Sequence, residues 1–211
     1  MKLYNYFRSS ASWRVRIGLA LKGLDYAYEP VHLVRNEQFA GDFAAQQASH
    51  LVPALVLDDG TWLGQSMAIL EYLDETHPEP PLLPRDAVGR AQVRALAQDI
   101  GCDLHPLNNL RVLRHLKSDM GHSQEQVDAW YRHWVATGLA VVEQKLARMA
   151  GTFSVGDTPG VADCLLVPQV YNAQRLACPL DAFPTVTRVN AACLALPAFA
   201  TTHPDACPDA A

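Results

Sequence analysis

The sequence predicts an α/β domain followed by an all-α domain, and three observations carry that division. Up to residue 77, short alternating or apolar runs are punctuated by turn residues. The stretch His77-Pro78-Glu79-Pro80-Pro81-Leu82-Leu83-Pro84 is rich in proline and breaks the pattern, as a linker does. From Asp86 on, the periodic segments are long and helical. The expected boundaries are 1–77 for the first domain, 78–85 for the linker and 86–211 for the helical domain.

In the first domain, Leu3, Asn5 and Phe7 alternate with Lys2, Tyr4 and Tyr6, a short strand. Trp13, Ile17, Ala20, Leu21 and Leu24 recur at helical spacing, and Gly23 ends that helix. Tyr28 to Leu33 reads as a second strand, which a right-handed crossover places parallel to the first. Residues 34 to 50 are polar, with a helix around Phe39 to Gln46. Val52-Pro53 precedes the apolar run Ala54-Leu55-Val56-Leu57, and Asp58-Asp59-Gly60 turns the chain into Thr61-Trp62-Leu63. Gly64-Gln65-Ser66 then leads into a helix with Met67, Ile69, Leu70 and Leu73 apolar. The order βαβ–α–ββα is that of a thioredoxin-like domain. A redox enzyme of that fold needs a cysteine at the first helix, and Ser9, Ser10, Ala11 and Ser12 occupy the place.

In the second domain, helices are expected over 91–104, 107–117, 124–149, 161–176 and 184–194, with Pro106 interrupting between the first two. Gly160-Val161-Ala162-Asp163 offers half of a capping box, because Gly160 lacks the hydroxyl. Asp163 is therefore expected to be structural. His105 and Asn109 stand four apart, on one face of any helix that tolerates Pro106.

The chain has 211 residues, 49% hydrophobic and 18% charged, with a net charge of −5. That balance is globular and gives no reason to expect nucleic acid or an anionic membrane as partner. No apolar run is long enough to span a bilayer. The first residues lack the apolar centre of a signal peptide, so the expected location is cytoplasmic. Five scattered cysteines, without a C-x-x-C, fit buried reduced thiols better than a disulfide framework or zinc site. His115, His122 and His133 have no metal-ligand spacing.

The chemistry concentrates at Phe7-Arg8-Ser9-Ser10-Ala11-Ser12-Trp13-Arg14-Val15-Arg16, where a strand meets a helix. A helix start carries unpaired N–H groups and partial positive charge, and so attracts an anion. Ser9 and Ser10 add hydroxyls, and Arg8, Arg14 and Arg16 add local cations, although any one arginine is more often spent on an ion pair. A thiol held there loses its proton more readily. Ser66 is a second helix start, either a plain N-cap or, with Gln65, a carboxylate site. Gly64-Gln65-Ser66-Met67-Ala68 falls one residue short of a hydrolase elbow and lacks that motif's context.

Ser-Ser-x-Ser-Trp-Arg-Val-Arg at the first helix resembles the signature of zeta-class glutathione transferases. Val52-Pro53-Ala54-Leu55, Gln65-Ser66-x-Ala68-Ile69-x-Glu71-Tyr72-Leu73, Asn109-Leu110-x-Val112-Leu113 and Val167-Pro168-Gln169-Val170-x-Asn172-Ala173-x-Arg175 extend it from Leu3 to about Pro208. Ala11 departs from the pattern, since many relatives carry cysteine there, and this argues against an essential thiol. The resemblance implies the glutathione transferase architecture, with Pro53 cis, and glutathione as coenzyme of a cis–trans isomerase acting on maleylpyruvate or maleylacetoacetate. It also implies a homodimer.

By the same resemblance Ser9, Ser10 and Arg8 are catalytic. Glutathione is bound by Ser9, Ser10, Ala11, Gln38, Val52, Gln65, Ser66, His105, Asn109, Leu110 and Arg111. A dicarboxylate substrate meets Arg8, Arg111 and Arg175, arginine being suited to carboxylates by its planar fork. Arg111, where relatives have serine, favours the compact maleylpyruvate over maleylacetoacetate. A general glutathione S-transferase, or a non-catalytic protein on the same fold, are the other classes.

Overall fold

The computed structural model describes residues 1–210. The chain forms two compact units. The first comprises residues 1–82 together with the segment from Leu194 onward, and the second comprises Leu83–Cys193.

The first unit runs β1 (Lys2–Asn5), α1 (Ser10–Leu21), β2 (Ala27–Pro30), α2 (Gly41–Gln46), β3 (Ala54–Val56), β4 (Trp62–Gly64) and α3 (Ser66–Thr76). Strand order is β2-β1-β3-β4. β1 pairs parallel with β2, Leu3 opposite Tyr28, and antiparallel with β3, Leu3 opposite Leu55. β4 adds antiparallel to β3. This is the thioredoxin-like arrangement expected from element order. The Val52–Pro53 peptide is cis, as the resemblance implied.

Alternation along each strand sends one set of side chains to each face of the sheet. Leu3 and Leu55 join Val15, Leu19, Ile69 and Leu73 in a fully buried cluster against α1 and α3. Burying each such side chain contributes roughly 2 kcal/mol. Tyr6, Phe7, Val31, Phe43, Val52 and Ala54 form a second cluster. Helices α1 and α3 approach closely at Gly18, where an added Cβ would lie 2.2 Å from Leu70 Cδ2. Gly23, at φ +64°, follows α1 and ends it as expected.

The proline-rich stretch divides between the units. Lys22, buried at the end of α1, donates to Asp74 Oδ1 at 3.1 Å and to the carbonyls of His77 at 2.7 Å and Pro80 at 2.6 Å. Asp74 Oδ1 also accepts the Leu82 N–H at 2.7 Å. Those bonds bind residues up to Leu82 to the first unit, so part of the expected 78–85 linker belongs to it. The segment from Leu194 onward, placed by the sequence reading in the helical domain, also groups with the first unit.

The second unit runs α4 (Ala87–Gln98), α5 (His105–Asn108), α6 (Leu110–Arg114), α7 (Gln124–Met149), α8 (Val161–Arg175) and α9 (Pro184–Leu194), the last reaching the boundary. α7 and α9 keep the residue limits read from periodicity. α7 buries Val127, Tyr131, Val135, Leu139, Val142 and Leu146, one stripe at helical spacing. α8 is buried almost all round from Val161 to Val170 and is the centre of the unit. Two π-helical segments, Asp99–Leu104 and His115–Asp119, flank α5 and α6. The single expected helices over 91–104 and 107–117 are therefore each interrupted. α7 lies so close to the first π segment that a Cβ on Gly138 would sit 2.4 Å from Leu104 Cδ1.

The cysteines depart in part from expectation. Cys164, Cys178 and Cys193 are buried free thiols, but Cys102 is exposed and Cys207 half-buried. Burial pushes the Cys164 thiol well up.

Candidate active site

The junction singled out in the sequence is the start of α1. Ser9 is its N-cap, in extended backbone, and its Oγ accepts the Ser12 N–H at 3.2 Å. An accepting hydroxyl keeps its own proton to give away. Ser9 is half-buried, Ser10 is 6% exposed, and Ala11 is half-buried beside them. The first turn of α1 carries no acidic residue, so its partial positive charge meets no carboxylate of its own. Arg8 is exposed, with its guanidinium carbon 4.9 Å from the Phe7 ring centroid.

The three arginines of the motif part company here. Arg16 is 1% exposed and donates to Asn5 Oδ1 at 2.9 Å, Tyr6 O at 3.4 Å, Phe7 O at 3.0 Å and Thr202 O at 3.3 Å. It is a structural pin for the loop rather than an anion ligand. Arg14 is buried too, and its Nη1 donates to Ser66 Oγ at 3.2 Å. That bond links the starts of α1 and α3. Of the three, only Arg8 keeps an exposed head.

At the start of α3 the N-cap is Gln65, with no side-chain cap bond, and Ser66 is the first helical residue. The plain reading of Ser66 as N-cap is thus replaced by a buried hydroxyl that accepts from Arg14. Gln65 has φ +64° and ψ 114°, a region that non-glycine residues rarely adopt. Such a backbone costs about 1–3 kcal/mol and persists where the surroundings impose it. The first helical hydrogen bond, Ile69 N–H to Gln65 O at 3.0 Å, is one such restraint. The exposed Gln65 side chain stands at a helix start that has no acidic residue in its first turn.

Two further residues of the same unit belong to the reading. Gln38 is 6% exposed, and its Oε1 has no hydrogen-bond partner among the described residues. A buried amide oxygen left unpaired is costly and calls for a donor from outside the chain. Val52 immediately precedes the cis bond and lies outside the ladder that begins at Ala54. Together these features suit a peptide-like anion. The helix starts offer N–H groups and positive charge for carboxylate and thiolate, and the Gln38 amide oxygen accepts an N–H.

The helical unit carries the remaining residues. Asn109 breaks the helix with extended backbone and caps α6, its Oδ1 accepting the Arg111 N–H at 3.0 Å. Its amide nitrogen lies 3.3 Å from His105 Nε2, so the two do share a face despite Pro106. Leu110 and Arg111 are exposed, the former 41% as an isolated large apolar side chain. Arg175 is exposed in the last turn of α8. Sequence reasoning passed over Asn108, 6% exposed, with both amide atoms buried and without partners among the described residues. Its only signal was a polar residue on the buried side of α5. Asp163 is structural as expected: Oδ2 accepts the Gly160 N–H at 2.9 Å and Oδ1 the Ser154 N–H at 2.8 Å.

Comparison with known proteins bears on the whole chain. The family pattern described as Glutathione S-transferase, N-terminal domain, matches residues 8–76. A maleylacetoacetate isomerase of Pseudomonas aeruginosa is 49% identical, over 99% of this chain and 98% of its own. A solved holo structure of maleyl pyruvate isomerase, a bacterial glutathione S-transferase of the zeta class, superposes with a TM-score of 0.96 at 46% identity, covering 100% of both chains. A maleylacetoacetate isomerase from Anaeromyxobacter dehalogenans, solved with dicarboxyethyl glutathione and citrate in its active site, has a TM-score of 0.89 and 48% identity, covering 100% of this chain and 97% of that one.

Proposed function

Because the chain belongs to the maleylpyruvate and maleylacetoacetate isomerases of the zeta-class glutathione transferases, we propose that it converts maleylpyruvate to fumarylpyruvate with glutathione as cofactor. Maleylacetoacetate is the close alternative substrate. The observation that supports this most directly is the Ser9 hydroxyl, which caps α1 through its oxygen and retains its proton for an anion at the same helix start. When bound, glutathione supplies a sulfur nucleophile that adds to the cis double bond, allows rotation about the resulting single bond, and is then expelled unchanged.

The chain's own residues prepare that chemistry. Ser9 and the α1 dipole favour the thiolate over the thiol, with Ser10 beside them. Gln65 and Ser66 hold a carboxylate at the start of α3, and Val52 offers strand-like backbone to a peptide. Gln38 Oε1 accepts an N–H. Arg8 takes the negative charge that develops on the substrate oxygens, and Arg111 and Arg175 are assigned to substrate carboxylates by membership of the family. His105, Asn109 and Leu110 join the cofactor side on the same ground. The enzyme is read as a cytoplasmic homodimer, which size-exclusion with light scattering checks.

NMR of maleylpyruvate with catalytic enzyme tests the reading. Conversion to fumarylpyruvate that requires glutathione, with no glutathione consumed, is the expected result. Turnover of maleylacetoacetate alone reassigns the substrate, and stoichiometric loss of glutathione points to a conjugating transferase. Arg8→Ala and Arg175→Ala are expected to lose isomerase activity while still binding glutathione. Either variant at near wild-type rate removes that arginine from the substrate site.

A further inference from the structure

The segment from Leu194 onward returns to the α/β unit and ends against the loop that carries Arg8 and Ser9. Its attachment is polar and specific. The Trp13 indole N–H donates to Thr202 Oγ1 at 3.0 Å, and the Trp13 and His203 rings meet edge to face at 5.1 Å. Further along, Asp209 Oδ2 accepts the Phe7 backbone N–H at 3.1 Å, and its Oδ1 accepts the Tyr28 hydroxyl. Burial, reinforced by that bond, pushes the Tyr28 phenol far up, so it remains a donor.

The same Phe7 residue is held from the other side. Its carbonyl accepts Arg16 Nη2 at 3.0 Å. The Tyr6 carbonyl accepts both Arg16 Nη1 at 3.4 Å and the Ser9 N–H at 2.9 Å. Phe7 is thus gripped at its N–H by the chain's last residues and at its C=O by α1. Arg8 and Ser9 follow directly. Two donors converge on Asp209, Phe7 N–H and Tyr28 O–H. A carboxylate has an oxygen for each, whereas an amide has only one.

We propose that Asp209 is a positioning residue for the reaction: by clamping Phe7 against the Arg16 pin it sets the placement of Arg8 and of the Ser9 hydroxyl at the thiol. The proposal rests on the reading of Ser9 as the thiol's hydroxyl partner. A misplacement of about 1 Å in such a group is worth roughly a hundredfold in rate. The carboxylate's charge alone would act the other way, since a nearby anion disfavours a thiolate. The direction of the change on removing Asp209 therefore separates positioning from simple electrostatics.

The test measures the pH dependence of thiolate absorbance of glutathione bound to the full-length enzyme, beside kcat/KM and Tm. Ser9→Ala is scored first. An unchanged thiol pKa there removes the Ser9 reading and this proposal with it, whereas a shift in Ser9→Ala with none in Asp209→Ala removes Asp209 alone. Asp209→Ala is expected to raise the bound thiol pKa by about one unit and to lower kcat/KM about tenfold. Thr202→Val, which removes the tail's acceptor for the Trp13 indole N–H, is expected to lower Tm without moving the thiol pKa. Asp209→Asn leaves one donor facing the amide NH2, so adding Tyr28→Phe is expected to recover activity. A lowered thiol pKa in Asp209→Ala, or a double variant worse than Asp209→Asn, overturns the proposal.

Discussion

The two units treat the starts of their helices differently. In the helical unit the chain's own carboxylates fill three of them, at α4, α8 and α9, while α6 is capped by the neutral Asn109 and α7 by the neutral Ser123. Asp86 accepts the Gly89 N–H at 2.8 Å at the start of α4, and Asp163 accepts the Gly160 N–H at that of α8. Glu143, on α7, accepts the Thr185 and Val186 N–H groups at 2.9 and 2.8 Å at that of α9. In the α/β unit α1 is capped by a neutral hydroxyl and α3 by no side chain, with no acidic residue in either first turn. A helix start binds negative charge in either case. Where the protein supplies that charge, as at α4, α8 and α9, the result is stability, and at α1 and α3 an incoming anion meets no carboxylate of the first turn.

The largest test moves the strategy of one unit into the other. Ser9→Asp would place a carboxylate where the thiolate is proposed to sit. It is expected to keep or raise Tm, because Asp caps a helix as well as Ser does. It is also expected to lower kcat/KM by more than about a hundredfold, the scale of losing a donor to a developing anion. Activity near wild type would mean that the start of α1 is not the thiol site.

The converse test removes a carboxylate from the helical unit. Asp163 is 1% exposed and also accepts the Cys193 S–H. Burial raises its pKa, outweighing the bonds from Ser154 and Gly160 that lower it. Asp163→Ala orphans the two backbone donors and is expected to cost about 2 kcal/mol by chemical denaturation. The thiol pKa of glutathione bound by the protein that remains folded should not move. A variant as stable as wild type would show that these caps carry no weight.

Much of this was legible in the residues, for identifiable reasons. α7 and α9 keep their read limits because their apolar spacing holds throughout and their ends are polar or proline-marked. The Asp58-Asp59-Gly60 turn is real, with Gly60 at φ +86° and Leu57 N–H bonded to Thr61 O at 2.9 Å. The π segments were not legible, since the apolar positions Val93, Leu96, Ala97, Ile100 and Leu104 keep ordinary helical spacing into the first of them. Nor was the return of the tail, because Asp209 and Phe7 are joined by a long-range bond that no local pattern announces. Arg14 and Arg16 counted only as local cations, each more often spent on a pair, and burial spends them on Ser66 and on backbone carbonyls. Composition counts charges, but only packing decides which of them reach solvent.

The smallest effect is the most discriminating in pH. Burial would raise the Glu143 pKa, but the bonds from Thr185 and Val186, with the charge of Arg188, together lower it. A carboxylate whose folded pKa lies below its unfolded value stabilises the fold above the unfolded value. That contribution is lost as pH falls through the folded one. Glu143→Gln removes the charge and one acceptor, and is expected to cost about 1 kcal/mol or less at pH 7. Thermal melts of both proteins from pH 7 downward should converge in acid, below the ordinary glutamate range. Convergence assigns the stabilisation to the ionised cap. A gap that stays constant to low pH would assign it to packing of the side chain, and Glu143 would then no longer count among the carboxylates that fill helix starts.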